Sequence, residues 1–184
     1  MRAFIAIDLD REIKSALETL VQSLKSSRAD VRWVGNRGMH LTLKFLGPID
    51  EGRGDKVRRV LDEVAHRHAP FELRAEGTGA FPGDRNPRVL WVGFAAEPEL
   101  TRLQEDLDLS LAAEGFERES RDFTPHLTLG RVKGPGRLET AMAELSRHKA
   151  TTFGVMFADR LALFESLLKP QGAEYRVVHE AVLT

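Results

Sequence analysis

The sequence predicts an α+β fold built from two similar halves. Three observations predict it. The tetrapeptide His-Leu-Thr-Leu occurs twice, at 40–43 and 126–129, 86 positions apart. The same offset sets residues 2–8 (RAFIAID) against 88–94 (RVLWVGF), two apolar runs of strand length. It also sets 10–27 against 96–113, both with apolar residues at helical spacing. Strand, helix, loop and His-Leu-Thr-Leu segment therefore recur without a gap, the pattern of a duplicated lobe.

The elements follow in order. Residues 2–8 form a strand that runs into acid at Asp8. Residues 10–27 place Ile13, Leu17, Leu20, Val21 and Leu24 on one helix face. The first motif strand comes next, then a helix over 55–68 that stops before Pro70. Residues 71–81 read as a strand interrupted by Gly77 and Gly79, with 82–87 (PGDRNP) as a loop. The second half repeats the scheme. It has a strand at 88–94 and a helix carrying Leu100, Leu103, Leu107 and Leu111. The second motif strand and a helix over 137–148 follow. Strands at 153–166 and 175–183 flank a turn at KPQG. This mixture of β-α-β and β-turn-β units is an α+β arrangement.

The chain has 184 residues, enough for one domain or for two small lobes sharing a core. Residues 1–184 are read as a single domain of two interleaved pseudo-repeat lobes, each with one HxTx motif. The formal net charge of −1 means that the molecule as a whole does not attract polyanions, so nucleic acid must be met by a local patch or specific contacts. There is no cysteine, which excludes disulfides, thiolate zinc sites and thiol catalysis, and fits a reducing compartment. The apolar run after Met1 is too short for a signal-peptide core, and no stretch approaches the length of a membrane span. The expectation is a cytoplasmic monomer with no membrane association and no evident protein partner.

The motif carries chemistry if it is a strand. Side chains then alternate, so His40 and Thr42 share one face while Leu41, Leu43 and Phe45 take the other. His126 and Thr128 likewise oppose Leu127 and Leu129. A pseudo-twofold would bring two imidazoles and two hydroxyls around one ligand. Histidine titrates near neutrality, so one imidazole can remove a proton while the other donates one. Threonine hydroxyls can donate to the non-bridging oxygens of a phosphate. The motifs hold no carboxylate beside the histidines, so neither a metal centre nor a cofactor is expected. A lone H-x-T is uninformative, since threonine is simply a good strand former. Two copies at matching places carry the reading. The remaining histidines have plainer explanations. His66, His68 and His148 sit at helix ends, where cations are favoured, and His179 lies in the last strand. Arg58 and Arg59 read as a solvated helix face, and Trp33 and Trp91 as core.

With those residues in view, the sequence resembles the 2H phosphoesterase superfamily, whose signature is two H-x-[ST]-x motifs. It is most similar to the RNA 2′,3′-cyclic phosphodiesterase branch, historically called 2′-5′ RNA ligases. The matching stretches are RAFIAID, HLTLKFLG, FTPHLTLGR and FESLLKPQGAEY, which span nearly the whole chain. The resemblance implies a bilobal α+β fold whose two pseudo-symmetric lobes line a central cleft with antiparallel sheets and keep their helices outside. It implies metal-independent hydrolysis of RNA 2′,3′-cyclic phosphate ends to 2′-phosphates. His40 would be the proton donor to the leaving 3′ oxygen, His126 the base that activates water, and Thr42 and Thr128 the phosphate-binding hydroxyls. The reverse reaction would join a 5′-hydroxyl to the cyclic phosphate without ATP, and no P-loop is present. Arg131 matches the family's basic residue after the second motif and would contact phosphate. Strict alternation, however, puts it on the leucine face unless the strand ends or bulges at Gly130. Two alternatives remain. One is a phosphodiesterase for small nucleotide cyclic phosphates or 2′-5′ oligonucleotides. The other is a non-catalytic RNA-binding module, against which the intact motifs argue.

Overall fold

Aspartates start the first two helices. The Asp10 carboxylate accepts from the Ile13 N–H at 2.8 Å, and Asp50 accepts from the Arg53 N–H at 2.8 Å. Each satisfies a backbone donor that the first helical turn leaves free. A computed structural model describes all 184 residues. In chain order the elements are β1 (Arg2–Asp8), α1 (Arg11–Lys25), β2 (Val31–Trp33), β3 (His40–Pro48), α2 (Glu51–Ala65), β4 (Phe71–Phe81), β5 (Val89–Phe94), α3 (Pro98–Ala113), β6 (His126–Val132), α4 (Leu138–Ser146), β7 (Thr152–Ala158), β8 (Arg160–Lys169) and β9 (Gly172–Val182).

The strands form two sheets, ordered β3-β1-β8-β9 and β2-β6-β5-β4-β7, with every pairing antiparallel. The orders correspond: β3-β1-β8-β9 matches β6-β5-β4-β7. Strands are exchanged between the halves. β4 follows α2 in sequence yet pairs with β5, and β8 follows β7 yet pairs with β1. This corrects the reading of 153–166 as one strand. The chain breaks at Asp159, and its two parts join different sheets. A continuous apolar run shows burial but not which sheet does the burying. The three-residue strand β2 is too short to announce itself in the sequence. The repeat alignment also shifts by one residue in the first strands, because Ala6 opposes Thr42 while Trp91 opposes Thr128.

Both motif strands carry a β-bulge at the same place. Ala6 pairs with Thr42 and Ile5 with Lys44, leaving Leu43 as the extra residue. Trp91 pairs with Thr128 and Leu90 with Gly130, leaving Leu129. A bulge inserts one residue and so reverses the alternation beyond it. Phe45 therefore joins the His40 and Thr42 face, against the sequence expectation, and is 74% exposed. Lys44 turns the opposite way and is buried. In β6 the same inversion brings Arg131 onto the face of His126 and Thr128, which resolves its ambiguity in the sequence.

The other face of both motif strands is core. Leu41, Leu43, Leu127 and Leu129 belong to one apolar cluster that also takes the inner faces of α1, α2 and α3. Within that setting Lys44 bonds Asp108 of α3 at 2.5 Å and the Glu117 carbonyl at 2.6 Å. Asp108 also accepts from the Glu119 N–H at 3.1 Å and from Arg118 at 3.2 Å. The buried pair thus ties β3 to the segment leading into β6. Removing one partner strands the other charge, which typically costs about 3–5 kcal/mol. Asp108→Ala should lose stability on that scale in urea unfolding, and Lys44→Met with Asp108→Leu should recover much of it.

Candidate active site

His40 opens β3 directly across from Asp8, the last residue of β1. Its ring stacks on Phe4 at 4.7 Å and on Phe164 at 5.1 Å, and Tyr175 meets it edge-on at 5.1 Å. Register places all of these on the motif face, since Phe4 pairs with Phe164 and Ala6 with both Ala162 and Thr42. The four aromatic rings pack together because each strand contributes alternate residues to the same side. The imidazole is buried, and desolvation, opposed by the Asp8 carboxylate and aided by Lys14, pushes its pKa down to about 4. The sequence offered no carboxylate beside this histidine. Asp8 arrives only through strand pairing.

His126 sits differently. Its Nδ1 lies 2.7 Å from the Thr124 carbonyl oxygen. A carbonyl can only accept, so Nδ1 carries a proton, and in the neutral ring Nε2 is the nitrogen with the lone pair. The residue across from it is Gly93, where the other sheet has Asp8. Phe81 meets the ring edge-on at 5.0 Å and lies 5.3 Å from Trp91. Trp91 pairs with Thr128, so it floors the motif face rather than the core as the sequence suggested. Its indole lies across Gly79, where a Cβ would come within 2.2 Å of the ring. Trp33 does pack against the core.

β3 and β6 are neighbours where the two sheets meet. Their leucine faces share a core, so the His40–Thr42 face of β3 and the His126–Thr128 face of β6 are the sides turned away from it. Beyond the bulges the two strands present different residues at matching positions, Phe45 on β3 and Arg131 on β6. Arg131 is exposed and lies across the ladder from exposed Arg32 of β2, so two basic residues share one face of the second sheet. That is a local positive patch on a chain of net charge −1.

The remaining histidines are bound elsewhere. His68 Nε2 meets Asp106 at 2.8 Å, His179 meets Asp62 at 2.7 Å, and His148 lies near Glu144 at 3.5 Å. His66 pairs with the Thr184 hydroxyl at 3.2 Å. No three His, Asp or Glu side chains converge as a metal-ligand set. No helix is long and apolar enough to cross a membrane.

A model of the 2′-5′ RNA ligase superfamily matches residues 12–168. An RNA 2′,3′-cyclic phosphodiesterase of Methanothermobacter thermautotrophicus is 35% identical, over 95% of each chain. One of Archaeoglobus fulgidus is 37% identical, over 96% of this chain and 97% of its own. The crystal structure of TT0787 from Thermus thermophilus superposes with a TM-score of 0.83 at 31% identity, covering 100% of this chain and 98% of that one. E. coli LigT without ligand shares the fold, with a TM-score of 0.79 at 24% identity over 100% of this chain and 97% of its own.

The His40 environment has a measurable consequence. An unfolded histidine binds a proton below about pH 6.5, whereas the folded ring resists until about 4. Between those values the unfolded chain holds more protons, so stability falls as the pH falls. The loss should total about 3 kcal/mol. Urea unfolding of the protein and of His40→Phe from pH 7 to 4 isolates it. Parallel curves would mean that the ring is hydrated in solution.

Proposed function

The chain belongs to the 2′-5′ RNA ligase superfamily, and on that premise we propose that it hydrolyses RNA 2′,3′-cyclic phosphate ends in the groove between β3 and β6. The observation that carries the reading is the pair of identically bulged His-x-Thr strands that lie next to each other where the two sheets meet. His126 is the base. Its Nδ1–H is committed to a carbonyl, which leaves Nε2 to accept a proton from water. The water oxygen bonds to phosphorus as the bond to O3′ breaks. His40 delivers a proton to O3′, and the product carries a 2′-phosphate and a free 3′-hydroxyl. The two imidazoles end in exchanged protonation states, which solvent restores. The Thr42 and Thr128 hydroxyls and the Arg131 guanidinium hold the non-bridging oxygens, whose charge grows in the transition state.

His40 is neutral in the resting protein near pH 7 because burial disfavours its charge. A bound phosphodiester anion reverses that balance and favours imidazolium. The acid is therefore charged only when substrate is present. Phe45 gives the substrate's nucleoside a flat apolar surface beside Thr42, since bases of any sequence stack on aromatic rings. A 5′-hydroxyl in the place of water opens the cyclic phosphate in the same way, its oxygen bonding to phosphorus as the bond to O3′ breaks, and forms a 2′-5′ linkage without ATP. Both motifs lie on one chain, so the reaction needs no second copy. The reading is of a monomer that acts on RNA in the cytoplasm.

His40→Ala and His126→Ala should each lose about 10²–10⁴ in kcat on an RNA with a cyclic phosphate end. On bis(4-nitrophenyl) phosphate, whose nitrophenolate departs unprotonated, His40→Ala should regain much of its rate while His126→Ala stays slow. The opposite rescue would exchange the two roles. Phe45→Ala should raise KM about tenfold with little change in kcat, since stacking is worth about 1–3 kcal/mol per base. Hydrolysis should persist in EDTA. Loss of rate there, with recovery on adding a divalent ion, would overturn the metal-free scheme.

A further inference from the structure

We propose that Asp8 is a positioning residue for His40: its carboxylate holds the imidazolium that donates the proton, and Lys14 sets how much of that negative charge reaches the ring. The proposal rests on the reading of His40 as the acid, and it answers a difficulty in that reading. An imidazole packed among Phe4, Phe164 and Tyr175 is a poor place for a positive charge. Substrate supplies one compensating anion, but that charge is spread over the phosphate oxygens and shared with Arg131 and the threonines. A carboxylate of the protein's own is the other available source.

Asp8 is placed for it. It opposes His40 in the β1–β3 ladder, so the two side chains leave the sheet on the same side. Directly opposed residues have Cβ atoms about 4.5–5.5 Å apart, so although the Asp8 carboxylate makes no ion pair with the resting ring, a change of rotamer brings it within reach of an imidazolium. Its Oδ1 accepts from Lys14 Nζ at 2.7 Å and from the Leu9 N–H at 3.0 Å. Both bonds fall on one oxygen, and no protein donor takes Oδ2. Lys14 projects from the first turns of α1 and sets its ammonium against the same carboxylate. Asp8 and Lys14 therefore act on His40 with opposite signs.

The other groups around the ring do not compete for this part. Tyr175 of β9 touches the imidazole with its ring edge. Glu180, on the same face of β9, lies 3.8 Å from Arg160. Of the β8 residues on this face, Arg160, Ala162, Phe164 and Ser166, only Arg160 is ionisable, and it is paired with Asp159 and Glu180. The second sheet shows the converse arrangement. Its position opposite the base is Gly93, where an added Cβ would sit 3.0 Å from the Glu76 carbonyl and 3.3 Å from the Trp91 ring. A carboxylate stands across the ladder from the acid and a glycine across from the base. That is the polarity the two roles require, because a nearby anion favours the charged imidazole.

The test is the alkaline limb of the kcat–pH profile, which reports the acid in the substrate complex. On an RNA cyclic phosphate, Asp8→Asn should move that limb down by about one pH unit and Lys14→Met should move it up. At the wild type's alkaline midpoint the Asn variant should then be several-fold slower. On bis(4-nitrophenyl) phosphate, which needs no acid, Asp8→Asn should turn over at near the wild-type rate. Histidine ring NMR of the resting protein gives a second readout, with the His40 titration moving down in Asp8→Asn and up in Lys14→Met. If the limb and the ring titration move in neither variant, or if Asp8→Asn loses rate equally on both substrates, the proposal is wrong and Asp8 only caps the strand. Failure of the underlying reading looks different: His40→Ala would then stay slow on the nitrophenyl ester.

Discussion

A β-strand that must bury one face and work with the other is bound by a period of two, and a single inserted residue inverts everything after it. The proposed site depends on that constraint being broken once in each motif strand. Up to Leu43 and Leu129 the alternation sends leucines to the core and histidine and threonine to the groove. After those residues the order flips. Phe45 and Arg131 come out beside the motif, and Lys44 goes in. The two bulges fall at matching positions of the repeat, so the site keeps its twofold layout while its rim differs: an aromatic ring on one side and a guanidinium on the other.

The inward turn of Lys44 also explains how the two motifs are held together. An ammonium in the core needs a partner, and Asp108 of α3 supplies it. Asp108 in turn bonds the backbone at Glu119, and Lys44 bonds the carbonyl at Glu117. The segment so anchored leads into Thr124, whose carbonyl fixes the tautomer of His126. A charge displaced by the bulge in one motif strand thereby helps to set the approach to the other.

The two histidines stand in unlike surroundings although their motifs read alike. His40 is packed among aromatic rings with a carboxylate across the ladder. His126 has a carbonyl at Nδ1 and a glycine across the ladder. Desolvation and a nearby anion push the first ring in opposite directions, so its charge follows whatever else enters the groove. The fixed tautomer of the second leaves a lone pair free to accept. The proposed division of acid and base labour rests on these contacts, not on the motif residues themselves.

Much of this was legible in the chain alone. The repeat, the helix faces and the alternation in His-Leu-Thr-Leu are local patterns, and local geometry makes them readable: 3.6 residues per helical turn, two per strand repeat. They sufficed to nominate His40, Thr42, His126 and Thr128, and to place both leucine pairs in the core. The tertiary structure decided what depends on partners far away in sequence. Asp8 meets His40 only because β1 and β3 pair in that register. Tyr175 and Phe164 reach the ring because β8 crosses back to the first sheet. Phe45, Trp91 and Arg131 take their faces from ladder register, and a bulge is a property of two strands together. Strand pairing joins residues through hydrogen bonds that any sequence can make, so a single strand's side chains carry little record of their neighbours.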